Sequence, residues 1–224
     1  VTRVIRRTTQ KGQAVETLAY EQQAEWLRCN IDEPKPGSAM LYQMMSDRAP
    51  KVLSVKRGGK KVSPTPSTKQ FNLPQGSTRL HSATMTAREA PVQAPIAEPA
   101  QHAVLTSLLD FAHWPAGSVA AGHRWQREFS CEGFEGSQTF EFVDLVTLGD
   151  QKTARVTLYV EGHFAGGLER EYTFGKGQAV LYWSRPERML VKMEARADYE
   201  RKREGKPDRY EMKLNVDLMK AKSL

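Results

Sequence analysis

Glu161, His163, Glu169 and Glu171 are the residues of this chain whose types and spacing come nearest to proton-transfer chemistry. They flank Ala165, Gly166 and Gly167, and apolar residues alternate on both sides: Leu158, Val160 and Phe164 before, Leu168, Tyr172 and Phe174 after. A β-hairpin that keeps those apolar residues on one face places Phe164 opposite Leu168 across a three-residue loop, because a two-residue glycine turn would set Glu169 against Phe164. On the other face, His163 then lies opposite Glu169 and Glu161 opposite Glu171. A histidine between carboxylates is easier to protonate, and two facing carboxylates resist ionising together. Such a cluster could act as a general acid and base or hold a cation weakly. Exposed cross-strand charge pairs, neutralised by Arg170 and nearby lysines, are the plainer reading, and no enzymatic activity is expected.

Other catalytic spacings are missing. The chain has no H-E-x-x-H, C-x-x-C, G-x-S-x-G or G-x-x-x-x-G-K-[ST] run. Gly175-Lys176-Gly177 reads as a turn between strands that opens no helix, so it cannot cradle a pyrophosphate. The histidines at 81, 102, 113, 123 and 163 are scattered, and neither a metal nor a cofactor is expected. Tyr182, Trp183 and Arg185 come nearest to a stacking platform for single-stranded nucleic acid, but alternation puts Tyr182 and Trp183 on opposite faces. Nucleic acid is therefore not the expected partner.

The formal charge of +7 is local rather than general. Residues 1–112 carry 15 Lys and Arg against 9 Asp and Glu, whereas residues 113–224 carry 18 against 17. Lys51, Lys56, Arg57, Lys60 and Lys61 surround Gly58-Gly59, with Val52, Val55 and Val62 on either side. Adjacent glycines supply the positive φ angles of a tight primed turn, so the segment reads as a hairpin with a basic tip. Lys56, Arg57, Lys60 and Lys61 could contact an anion such as acidic lipid, polysaccharide or nucleic acid. The plainer reading is a solvated turn whose lysines discourage edge-to-edge pairing. The two cysteines, Cys29 and Cys131, both fall on the apolar side of alternating segments, where they could form a disulfide or remain two buried thiols.

These residues must be held by strands. From Arg124 onward, apolar and polar residues alternate in one short run after another, the pattern of an antiparallel meander with one wet face. The expected strands are 124–131, 139–148, 153–164, 168–174, 179–184, 189–199 and 209–219. Before them, Val104, Leu105, Leu108, Leu109 and Ala112 form one face of a helix over 100–112, ended by Pro115. Residues 63–100 hold six of the twelve prolines and read as a loop or linker. Residues 1–62 carry strand-like runs at 15–31, 39–45 and 52–56, too few to stand alone and therefore expected to complete the sheet of 101–224. The expected fold is mainly β, a single domain over 1–224 in which a curved antiparallel meander or half-barrel packs on one helix.

The apolar face is rich in adaptable side chains. Met40, Met44, Met189, Met193, Met212 and Met219 all fall in expected strands, and methionine suits a surface that accommodates variable ligands. Trp125, Trp183, Met189, Met193 and Met212 are the candidate wall of an apolar-ligand site, with ordinary packing around the helix as the alternative. At Val119, Gly122 and Trp125 the chain resembles a V-x-x-G-D-x-W element that opens the C-terminal meander of bacterial secreted and lipoprotein-type proteins, with His123 where that element has its acid. The order of helix, element and long hairpins is similar to the half-barrel of periplasmic lipoprotein-localisation factors. The resemblance implies an extracytoplasmic, non-enzymatic protein that is a scaffold or binds an apolar or envelope-associated ligand. The chain starts at Val1 without methionine, so a signal segment is expected to have been removed. No apolar run reaches the roughly 18 residues of a membrane span.

Overall fold

The alternation that begins at Arg124 folds as one continuous meander: β9 (Arg124–Cys131), β10 (Phe134–Leu148), β11 (Gln151–Phe164), β12 (Tyr172–Ser184), β13 (Met189–Arg201) and β14 (Asp208–Asp217). Each pairs antiparallel with the next. The structure, a computed structural model, describes residues 2–10, 13–22, 25–29, 41–45, 51–62, 78–81, 87–89, 99–109, 115, 117–131, 133–184, 189–202 and 207–217.

The N-terminal region adds β1 (Thr2–Gln10), β2 (Gln13–Gln22), β5 (Lys51–Arg57) and β6 (Lys60–Val62) to the same sheet. The order is β6-β5-β2-β1-β14-β13-β12-β11-β10-β9, an open antiparallel sheet of ten strands. The chain is mainly β. β1 was not among the expected strands, because its arginines obscure the alternation of Val4, Arg6 and Thr8 with Arg3, Ile5 and Arg7. It is nevertheless the seam of the sheet: Val4 lies between Tyr20 of β2 and Met212 of β14. The expected run 15–31 is divided, since β3 (Glu25–Cys29) pairs with β4 (Leu41–Met45) in a second sheet, of order β3-β4-β7-β8. β7 (Thr78–His81) and β8 (Ala87–Glu89) fall within 63–100, the proline-rich stretch whose composition predicts a loop or linker. Short strands need only backbone partners, which composition does not reveal.

Among the described residues a single α-helix, α1 (Pro99–Leu109), packs over β9–β12; the expected continuation over 110–112 lies outside the described residues. Among its described side chains Ala100, Gln101, Ala103, Val104, Leu105, Ser107 and Leu108 are buried. At 100° per residue they cover about 200° of the helix surface, twice the stripe that a flat support would bury. Two polar contacts explain how. Tyr20 Oη on β2 donates to Gln101 Oε1 at 2.7 Å, and Gln138 Nε2 on β10 donates to the Ser107 carbonyl at 2.6 Å. β2 and β10 are six strand positions apart, about 29 Å in a flat sheet, whereas Gln101 and Ser107 are separated by a rise of about 9 Å. The sheet therefore bends around α1.

The inner face is closed by Val4, Leu18, Phe134, Phe140, Leu158, Leu181, Met193, Tyr210, Met212 and their neighbours, all buried. Aromatic rings run along one end of it. Phe134 meets Phe129, Phe164 and Phe174, Phe164 meets Tyr199, and Tyr199 stacks on Tyr210 at 4.6 Å. Gly136 faces Gly162 across β10 and β11. A Cβ on Gly162 would stand 2.4 Å from the Glu135 carbonyl oxygen and 2.7 Å from the Phe134 ring, so the ring occupies the space that a side chain would take.

Candidate functional site

The hairpin after β11 differs from its expected register. Val160 pairs with Gly177 and Leu158 with Ala179, not in the frame that sets Phe164 opposite Leu168. Ala165–Glu171 connects the strands through a 3-10 turn at Leu168–Arg170, with Gly166 and Gly167 at φ of 62° and 101°. Glu169 accepts the Gly167 N–H at 2.8 Å, and Glu171 pairs with Arg201 at 2.8 Å. Leu158, Val160, Phe164, Tyr172 and Phe174 do share the buried face, so a longer connection satisfies the same alternation. His163 consequently lies opposite Glu135 of β10, with Nε2 3.8 Å from the carboxylate and both side chains exposed. The four-residue cluster is not assembled. Gly175-Lys176-Gly177 is likewise not a turn. It runs through β12, with a bulge between Phe174 and Lys176. A Cβ on Gly175 would meet Asp198 Oδ2 at 2.0 Å, and Gly177 lies beneath Leu108 of α1, so close approach explains both glycines.

The candidate ligand wall is divided in two. Met193 and Met212 are 0% and 1% exposed and belong to the packed core. Trp125 and Trp183 are half-buried and lie toward the end of the inner face where β9 begins and β12 ends. A bulge between Tyr182 and Trp183 shifts the frame of β13, so Leu190 stands opposite Trp183 and Met189 opposite Ser184. Leu190 is therefore the wall residue on that strand; the Met189 side chain lies outside the described residues. Phe142 of β10 and Val216 of β14 also pack half-buried against the core at this end. Trp125 of β9, Phe142 of β10, Leu190 of β13 and Val216 of β14 pack half-buried against the core, half-buried Trp183 of β12 stands opposite Leu190, and together they form a rim interrupted at β11 by buried Ala154, with Leu145 opposite Ala154 and 67% exposed.

Local geometry fixes the rim. Gly122, at φ 82°, turns the chain into β9, and its N–H donates to the Phe142 carbonyl at 2.8 Å while Phe142 N–H donates to the His123 carbonyl at 3.0 Å. These bonds hold Trp125 stacked on Phe140, 5.3 Å between centroids and 6° between planes, and His123 stacks on Trp125 at 6.1 Å and 26°. On β10, a bulge between Phe142 and Asp144 lets Asp144 accept two bonds from Arg155, at 2.9 and 2.6 Å, which secures the projecting hairpin. Tyr182 faces the other way, with the Lys192 ammonium 5.9 Å from its ring. A hydrogen bond to Glu194 and that carboxylate's charge raise the Lys192 pKa above its ordinary value.

The basic tip is at the opposite end of the strands. Val55 pairs with Val62, Lys56 with Lys61 and Arg57 with Lys60, around Gly58 and Gly59 at φ of 53° and 78°. All four basic side chains are exposed, and Arg57 bonds Glu16 at 2.9 Å. Cys29 ends β3 and Cys131 ends β9, and the side chains of both lie outside the described residues, as do those of Met40, Met44 and Met219.

Among the described residues no group of three or more His, Cys, Asp or Glu side chains is placed to hold a metal ion, and no helix is long and apolar enough to cross a membrane. Comparison with protein-family models, with curated proteins and with solved structures finds no match.

Proposed function

We propose that this chain is a non-enzymatic, extracytoplasmic β-sheet module that binds an apolar ligand, an acyl chain or a similar envelope component, at the open end of its inner face. The observation that carries the reading is the half-buried set Trp125, Phe142, Leu190 and Val216 against a packed core, joined by half-buried Trp183 opposite Leu190. Core residues beneath the helix bury completely, as Met193 and Met212 do. Apolar side chains left half open toward one end of a face are the surface against which a ligand gains hydrophobic contact. The ligand lies across the rim rather than in place of α1, whose Leu108 and Val104 are fully buried. The extracytoplasmic setting rests on the resemblance carried by Val119, Gly122 and Trp125.

Native mass spectrometry of protein from its own source, compared with the denatured mass, tests this reading. A bound apolar mass that is lost with the fold, and palmitate binding weakened in Trp125→Ala and Trp183→Ala variants of unchanged melting temperature, support it. A bare chain whose tryptophan emission ignores palmitate sinks it.

A second reading has its own observation. Lys56 faces Lys61 and Arg57 faces Lys60, two like-charge cross-strand pairs that cost stability on a short edge hairpin. An anion seated between them would relieve the repulsion. Steep loss of binding to acidic vesicles with added salt supports this anion-binding module, and indifference to Lys56→Ala and Lys61→Ala removes it.

A further inference from the structure

The two edges of the large sheet are treated differently. β6 is three residues long and carries Lys60 and Lys61, the usual protection of an edge against pairing. β9, at the other edge, is eight residues long and contains neither lysine nor proline. Its outward side chains Arg124, Gln126, Glu128 and Ser130 are all exposed, while Trp125, Arg127 and Phe129 point inward. A long edge strand with neither lysine nor proline can template a further strand, and its charges then restrict which register is allowed.

We propose that β9 pairs antiparallel with β9 of a second copy of this chain, about a two-fold axis through Gln126. Residues directly opposite share a face, so only registers that set inward residues against inward ones keep the apolar rim on one side. Placing Arg127 on the axis sets arginine against arginine, and placing Glu128 there sets glutamate against glutamate. With Gln126 on the axis, Arg124 faces Glu128 of the partner subunit, and the symmetry makes this ion pair twice. Trp125 faces Arg127 of the partner subunit, also twice, so no like-charge pair forms on the inner face. Of the registers that match faces, this one alone sets Arg124 against the opposite charge of β9.

The existing contacts suit that arrangement. Arg124 uses Nε and Nη2 on the same Glu141 oxygen, at 2.8 and 2.6 Å, and its side chain is 66% exposed. It would then stand between two carboxylates, Glu141 on its own sheet and Glu128 of the partner subunit. Pairing ends where the Gly122 turn takes the chain away from the edge, which leaves 124–128 as the paired segment. The two inner faces join as one surface, and the two rims meet beside the axis through Trp125.

Sedimentation velocity over a range of concentrations is the test, with three variants on exposed side chains that leave the β9–β10 ladder intact. The expected result is a reversible dimer. Gln126→Lys, which sets lysine on the axis, and Glu128→Arg, which sets arginine against Arg124, each weaken it by about tenfold or more, while Lys61→Glu at the far edge leaves it unchanged. In a Cys29→Ser, Cys131→Ser background, Gln126→Cys forms a disulfide-linked dimer on mild oxidation and Ser130→Cys does not. A wild-type chain that stays monomeric at every concentration overturns the proposal. So does a dimer indifferent to Gln126→Lys and Glu128→Arg, or a cross-link through Cys at 130 in place of 126. Melting curves of the variants distinguish lost pairing from lost fold.

Discussion

Replacing Gln138 tests whether the helix is held to the sheet by its polar contacts as well as by its apolar face. Gln138 is 0% exposed, and its two ends serve different partners: Nε2 donates to the Ser107 carbonyl at 2.6 Å, and Oε1 accepts from Arg127 Nε at 2.5 Å. The Ser107 carbonyl is one of the last four of α1, for which the helix offers no internal donor. Gln138→Ala removes that donor beneath the helix, at about 1–3 kcal/mol for a buried acceptor left without it. It also removes buried side-chain contact worth about 1 kcal/mol. The sum is about 2–4 kcal/mol. At about 2–4 °C per kcal/mol for a chain of this size, the melting temperature falls by about 4–16 °C. Gln138→Leu restores the volume without the donor and keeps the hydrogen-bond part of the loss, which separates the two contributions. Calorimetry gives the stability, and hydrogen exchange over 99–109 shows whether α1 loosens first. Melting of Gln138→Ala within about 1 °C of wild type, with exchange in α1 unchanged, refutes the reasoning, because a buried donor cannot be removed from a required acceptor without cost.

Three further outcomes follow from the same structure. Gly162→Ala forces a Cβ to within 2.4 Å of the Glu135 carbonyl oxygen; backbone cannot yield there, so urea unfolding should show a loss of at least about 1–3 kcal/mol, and an unchanged midpoint would mean that the β10–β11 ladder is looser than described. Lys61→Glu converts the Lys56–Lys61 pair to opposite charges and should stabilise by about 0.2–1 kcal/mol, measured as a higher melting temperature at low salt that fades at high salt. The Lys192 pKa is raised by Glu194, so the pair's contribution is fully present below the ordinary lysine value and is lost as pH rises through the raised one. Wild type and Glu194→Gln should therefore differ by a constant amount near neutrality and converge in strong alkali, with the Lys192 titration, followed by NMR, moving down in the variant.

The parts of the fold that were legible are those whose side chains carry their own instructions. Met193, Ala195 and Ala197 against Glu194, Arg196 and Asp198 specify β13, and Val55, Gly58, Gly59 and Val62 specify the β5–β6 hairpin, because period two and positive φ are local properties. β1 was missed since Arg6, on its inner face, is a poor marker of burial; Arg6 Nη2 is instead bonded to Glu16 at 3.0 Å across the seam. The candidate wall was legible in part. Trp125 and Trp183 carry a large apolar surface wherever they fall, and Phe142 follows the regular alternation of β10, but Leu190 reached the rim through a bulge that single-sequence alternation does not show.

By itself, the sequence determined the class of this protein, an antiparallel β meander with one helix, since alternation and helical periodicity depend only on near neighbours along the chain. The tertiary structure alone decided where the N-terminal strands insert, which residue faces His163, and that Met193 and Met212 are core while Trp125 and Trp183 stay half open. Those outcomes depend on strand order, register and bulges, and each is set by packing among residues far apart in sequence: one bulge reverses which neighbours face the core, and one additional strand closes over what would otherwise be an exposed edge.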